Sequence, residues 1–166
     1  TTPGAALAAL NAIPTVAGAD IVRLRLLIHV GAVAISASGE NFKLQYAVKS
    51  GTCAASSYTD IPTSGAGNIV RYENNVTPAD EANISAIAGD PTHSSDTVVP
   101  ERYQEANNFT NSQAAIPAEQ DGLWDFAVSP INNSQTYCLR AVKSDGTVLD
   151  TYSQYPEIIT SGGSGF

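Results

Sequence analysis

The sequence predicts an all-β protein, an antiparallel β-sandwich of Ig-like or jelly-roll-like type with about seven or eight strands. Three observations predict it. Apolar residues recur at alternate positions in several segments, turn-forming residues separate those segments, and helical spacing is nearly absent. The chain has 166 residues, with 13 Gly and 9 Pro. That length suits one domain able to bury its own core.

Residues 20–30 form the clearest strand. Val22, Leu24, Leu26, Ile28 and Val30 share one face, and Ile21, Arg23, Arg25, Leu27 and His29 share a mixed opposite face. Residues 31–40 read as a short connection or a strand extension. The next strand turns Phe42, Leu44, Tyr46 and Val48 inward, with Lys43 and Gln45 outward. Residues 49–52 make a turn that delivers Cys53. Residues 68–73 read as a strand with Ile69 and Arg71 on one face and Val70 and Tyr72 on the other. Residues 74–100, rich in Asn, Asp, Pro and Ser, read as a long ordered loop.

Residues 102–110 form a further candidate strand, with Tyr103 and Phe109 on one parity. Residues 122–128 form another, which groups Trp124, Phe126 and Val128. The last expected feature is a hairpin: residues 135–143 and 147–155 flank Ser144-Asp145-Gly146, with Gly where a left-handed residue is needed. The expected division is an Ala-rich segment at 1–19, a sandwich at 20–160 and a Gly-rich tail at 161–166. The Ala-rich segment suits either two helical turns or an extended stretch packed on a sheet.

Composition narrows function. Charged residues make up 14%, with 16 acidic and 8 basic for a net charge of −8. Nucleic acid and anionic membrane surfaces both require clustered Lys and Arg, so neither is an expected partner. Hydrophobic residues at 43% exclude disorder by composition. Residues 1–19 are uncharged, yet Pro3, Pro14, Asn11 and the threonines keep them from being a membrane span, and no basic start marks a secretion signal. The chain opens on Thr1, which reads as processing or as a start partway through a longer protein, and lends support to export.

Cys53 and Cys138 are the only cysteines. An even count in an acidic, Ser/Thr/Asn-rich chain favours one disulfide in an oxidising compartment; the alternative is two buried thiols that never meet. Neither His29 nor His93 lies near a cysteine in sequence and no CxxC occurs, so no zinc ligand set is expected. Calcium is the one cofactor left open, through Asp80, Glu81, Asp90 and Asp96 in or beside the long loop, although their spacing is not that of an EF-hand. Asn75, Asn83, Asn108 and Asn132 begin Asn-x-Ser/Thr sequons, which carry glycans only in a host that makes that linkage.

Catalysis is not expected. His93 has Ser94, Ser95 and Asp96 beside it, but triads assemble from distant segments. Residues 64–68, SGAGN, make a glycine turn without the rest of a nucleotide site. A glycan-binding surface would draw on Tyr58, Tyr72, Tyr103, Trp124, Tyr152 and Tyr155; Trp124, flanked by alternating apolar residues, reads more simply as the core aromatic.

The stretches NFKLQYAVKSGTC, DPTHSSDTVV, EANNFTNS, WDFAV and TYCLRAVKSDGTVLDTYSQYPEI, spread over residues 20–159, resemble a repeat of large surface proteins from uncultivated bacteria, chiefly the ultra-small candidate phyla. The resemblance implies an extracellular β-sandwich module, often in tandem, with no catalytic residues to carry over. It also implies the pairing of Cys53 with Cys138. Such repeats begin with an additional strand rich in Arg, Asn and Asp, and nothing of that type precedes Thr1.

A sandwich short of a strand exposes unpaired backbone groups that a partner's strand can complete. The expected function is therefore a structural subunit of an extracellular filament or pilus-like appendage. Its partners are copies of itself, joined by strand complementation, with the Ala-rich segment or the C-terminal tail as donor. The alternatives are a monomeric spacer module of a tandem surface protein and a glycan-binding adhesion module. All three place it at the cell surface.

Overall fold

A computed structural model describes residues 4–63, 69–130 and 134–162. The glycine turn at 64–68, the Asn132 sequon and the tail beyond Gly162 lie outside the described residues. Among the described residues ten strands form two facing sheets: β1 (Thr15–Ala17), β2 (Val22–His29), β3 (Asn41–Val48), β4 (Thr59–Asp60), β5 (Val70–Tyr72), β6 (Val98–Gln104), β7 (Phe109–Thr110), β8 (Asp121–Pro130), β9 (Thr136–Lys143) and β10 (Glu157–Ser161). The excess over the expected count comes from β1, β4 and β7, whose two or three residues are too short to show alternation. Among the described residues the only helical element is a 3₁₀ turn at Cys53–Ala55.

The larger sheet runs β1-β10-β9-β3-β4, with β7 also paired to β3. The smaller runs β2-β8-β5, with β6 also paired to β8. Each sheet thus has a strand one of whose edges is shared by two segments, β4 and β7 along β3 and β5 and β6 along β8. Two pairings are parallel, β1 with β10 and β6 with β8. The remaining pairs are antiparallel.

The main core lies between the sheets and follows the alternation. Val22 and Ile28 of β2 are buried and Leu24 and Leu26 partly so; they meet Phe42 and Leu44 of β3 and Trp124, Phe126 and Val128 of β8. The rings interlock edge to face: Phe42 and Trp124 have centroids 5.5 Å apart, Phe109 and Phe126 4.9 Å. Each large side chain moved from water to this interior contributes about 1.5–3 kcal/mol. Val48 departs from the expected inward set; at the end of β3 it is exposed.

A second, smaller core lies on the other face of β8. Ile84, Tyr103, Leu123 and Ala127 pack there, with Leu27 and Val98 at their margin. The long loop between β5 and β6 supplies Ile84 and covers that face, so all ten residues of β8 are buried. This explains the mixed outer face of β2: Arg23, Arg25 and Leu27 look into a partly covered layer, where Arg23 and Arg25 pair with Asp125 and Arg25 with Asp90, and His29 stands at its exposed end.

Two expected elements are corrected. Residues 102–110 are not one strand. β6 ends at Gln104 in the smaller sheet, and the chain crosses through residues 105–108 to enter the larger sheet as β7. The Asn107 side chain then serves as a piece of strand: its Oδ1 accepts from Leu44 N (2.9 Å) and from the Tyr72 hydroxyl (2.5 Å), and its Nδ2 donates to Leu44 O and Ile61 O. Nor do residues 147–155 return as a strand. The turn is present, with Gly146 at φ 93° and Lys143 N donating to Thr147 O. Beyond an isolated Val142–Val148 bridge, however, the Tyr152 hydroxyl takes the Ala141 carbonyl (2.6 Å), and pairing with β9 resumes only at β10. A side chain has replaced the backbone donor, so the chain is free to leave the sheet.

Candidate functional site

The most distinctive surface feature is the outer edge of β2. Among the described residues the smaller sheet is three strands across and the larger five. β2 hydrogen-bonds to β8 over residues 22–29, and among the described residues no strand pairs with its other side. The Ala-rich segment occupies this position. Residues 4–12 and Pro14, with Ile21–Arg25 of the β2 edge, residues 87–91 and residues 154–158, line a cavity of about 530 Å³. The segment is not helical; it bends along its course and becomes β1 at Thr15. Leu7, Leu10, Ile13 and Ile21 are all exposed, by 59%, 55%, 43% and 53%. Four large apolar side chains on one short stretch beside an open strand edge form a surface that favours a protein partner.

The disulfide expectation holds. Cys53 and Cys138 are bonded, with Cα atoms 5.6 Å apart, and tie the 3₁₀ turn to β9. They are therefore not metal thiolates.

The aromatic candidates divide. Tyr72, Tyr103 and Trp124 are fully buried, and Trp124 Nε1 donates to Thr110 O, so none of them is available to a sugar. Tyr58, Tyr152 and Tyr155 instead meet at the surface. Tyr152 and Tyr155 stack at 5.1 Å, Tyr155 and Tyr58 at 6.4 Å, and the Arg140 guanidinium lies 3.9 Å from the Tyr58 ring centre. Burial pushes the Tyr58 hydroxyl up to about 12. Beside Tyr155 is a cleft of about 340 Å³ lined also by Gln154, Glu157 and Lys49, the last two joined at 2.7 Å.

The calcium candidates do not converge. Asp80 accepts from Glu105 N, Glu81 lies by Arg102, Asp90 holds Arg25, and Asp96 faces the histidines. The apparent triad also separates: His93 Nδ1 is 2.7 Å from Asp96, and among the described residues no hydrogen bond joins His93 to Ser94 or Ser95. The structure does place together two residues far apart in sequence, His29 and His93, whose ring centres are 4.5 Å apart. Nothing local signals that meeting.

Fold and surface together define a disulfide-bonded β-sandwich, and no helix among the described residues is long and apolar enough to cross a membrane. Comparison with protein-family models, curated proteins and solved structures gave no match.

Proposed function

We propose that this chain is a non-catalytic structural subunit of an extracellular filament, a β-sandwich module like those of bacterial surface proteins, joined copy to copy at the β2 edge. The observation that carries the reading is the unpaired edge of β2 beside a cavity lined by the chain's own Ala-rich segment. The Ala-rich segment forms one wall of that cavity, and an extended segment from another copy could enter it and pair with the β2 edge. Exchange of this kind is head to tail and builds an open fibre unless a rotation closes it. The disulfide agrees with an oxidising, extracellular setting.

The test is electron microscopy of purified protein beside a variant carrying Leu7→Asp and Leu10→Asp. Both side chains are exposed, so the sandwich itself should keep its melting temperature. Fibres from the parent and none from the variant support the reading; a monodisperse monomer at high concentration overturns it in favour of a spacer module.

A second reading rests on the tyrosine stack. Stacked rings next to Gln154 and Glu157 offer both the apolar face and the polar groups that a pyranose requires. An adhesion role predicts glycan-array binding that Tyr155→Ala abolishes; no binding above background removes it.

A further inference from the structure

The geometry points to a divalent-cation site, best matched by zinc, formed by His29, His93, Asp96 and Asp121. One ligand atom from each of the four lies within 4.8 Å of all the others. His29 Nδ1 is 3.0 Å from Asp121 Oδ1 and 3.3 Å from Asp96 Oδ2, and His93 Nδ1 is 2.7 Å from Asp96 Oδ2. Tetrahedral zinc with bonds of about 2.0–2.1 Å sets its ligand atoms about 3.3 Å apart, so the cluster needs only small adjustments to take the ion.

The scaffold supplies half of the set rigidly. His29 closes β2 and Asp121 opens β8, directly opposite each other in the ladder. His93 and Asp96 come from the loop before β6, where Asp96 N donates to His93 O in a tight turn and Asp121 N donates to Thr97 O. The loop is thus already held against the strands at this point.

Hydrogen bonding alone leaves the cluster unsatisfied. A neutral imidazole has one N–H, yet His29 Nδ1 faces two carboxylates. The Asp121 side chain is fully buried, and among the described residues its second oxygen, Oδ2, has no hydrogen-bond partner. Among the described residues no Lys or Arg pairs with Asp96, Asp121 or Glu119; their ion-pair partners are the two imidazoles. A dication supplies the missing positive charge and a ligand partner for the buried carboxylate. Glu119 Oε2 stands 3.7 Å from His29 Nε2, on the ring's far side, where a carboxylate orients a metal-bound histidine. Two imidazoles with two carboxylates suit zinc and its first-row neighbours, whereas calcium prefers an all-oxygen shell. The bound ion would clip the loop to the β2–β8 pair, independently of any assembly of the chain.

Titration of zinc chloride into the metal-free full chain tests this, read by calorimetry and by melting temperature. The expected result is saturation at a single ion per chain with a melting temperature that rises with zinc. His93 is half exposed, so His93→Ala should keep the zinc-free melting temperature while weakening zinc binding by more than about tenfold; Glu119→Gln should weaken it by up to about tenfold. Absence of saturable zinc binding overturns the proposal, as does a His93→Ala chain that binds zinc as the parent does. Calcium saturating this site in preference to zinc overturns the assigned ion.

Discussion

Arg25 and Asp90, 65 residues apart, tie the smaller sheet to the loop that covers it: Arg25 Nη1 lies 2.6 and 2.7 Å from the two Asp90 carboxyl oxygens. Arg25 also donates to Ser85 O and to Asp125, and Asp125 in turn accepts two bonds from Arg23. Asp90 Oδ2 further accepts from Ile87 N, so one carboxylate both shapes the loop and fastens it.

Removing that carboxylate leaves a guanidinium only 8% exposed with part of its charge uncompensated. Asp90→Ala is expected to destabilise the protein by about 2–4 kcal/mol, read as a lower urea midpoint. It should also open residues 85–90 to proteolysis before global unfolding. An unchanged midpoint would show that the pair is solvated and structurally idle.

Glu101 gives the pH dependence. It is fully buried, Oε2 accepts from Gln113 N, and burial pushes its carboxyl from 4.5 up to about 7. Between those values the folded chain holds a proton that the unfolded chain has released. This contribution to stability is therefore complete below about pH 4.5, falls as pH rises toward 7 and is gone above it. Glu101→Gln should flatten that slope and, at pH 8, raise stability by about 1–3 kcal/mol. Parallel stability–pH curves for parent and variant would refute the assignment.

The disulfide joins Cys53 and Cys138 across a sequence separation of 85. In the chain-entropy model, its loss costs about 4–5 kcal/mol. Denaturation with and without reductant measures this. The reduced protein should keep the same far-ultraviolet signal at zero denaturant, since the bond ties a surface turn to a strand already buried in the larger sheet.

Gly122 has no room for a side chain. A Cβ there would sit 2.5 Å from Ile116 Cδ1 and 2.7 Å from a carbon of the Trp124 ring. Gly122→Ala is expected to cost about 1–3 kcal/mol by overpacking, with a shifted tryptophan emission maximum as the local signature. A neutral substitution would mean that Ile116 and Trp124 repack freely.

Asn107 joins β3 to Tyr72 of the opposite sheet. Asn107→Ala leaves the Leu44 amide and the Tyr72 hydroxyl without their acceptor, an expected cost of about 1–3 kcal/mol. Tyr72→Phe should cost less, because it deletes one donor and leaves the Asn107 oxygen bonded to Leu44.

Where one face of a strand is buried, the sequence was a sufficient guide. The parity of Val22, Leu24, Leu26 and Ile28, and of Trp124, Phe126 and Val128, named the core sides of β2 and β8. The two cysteines likewise suggested their own bond. Legibility failed where a side chain does the work of backbone: Asn107 beside β3 and Tyr152 at Ala141 each end a ladder that periodicity alone would continue. It failed again for the outer layer, because the mixed face of Arg23, Arg25 and Leu27 gives no sign of the loop carrying Ile84 and Asp90 that packs against it.

By itself, then, the sequence determined the class of fold and the strands with a clear apolar parity, since these follow from local alternation, and its two cysteines favoured a bridge without requiring it. Only the tertiary structure decided that β2 keeps an open edge, that Arg25 is neutralised by Asp90, and that two histidines and two aspartates share one small volume. Those are meetings between segments that no local pattern encodes, and they exist because a long polar loop gains more by burying Ile84 and pairing its carboxylates than by remaining in water.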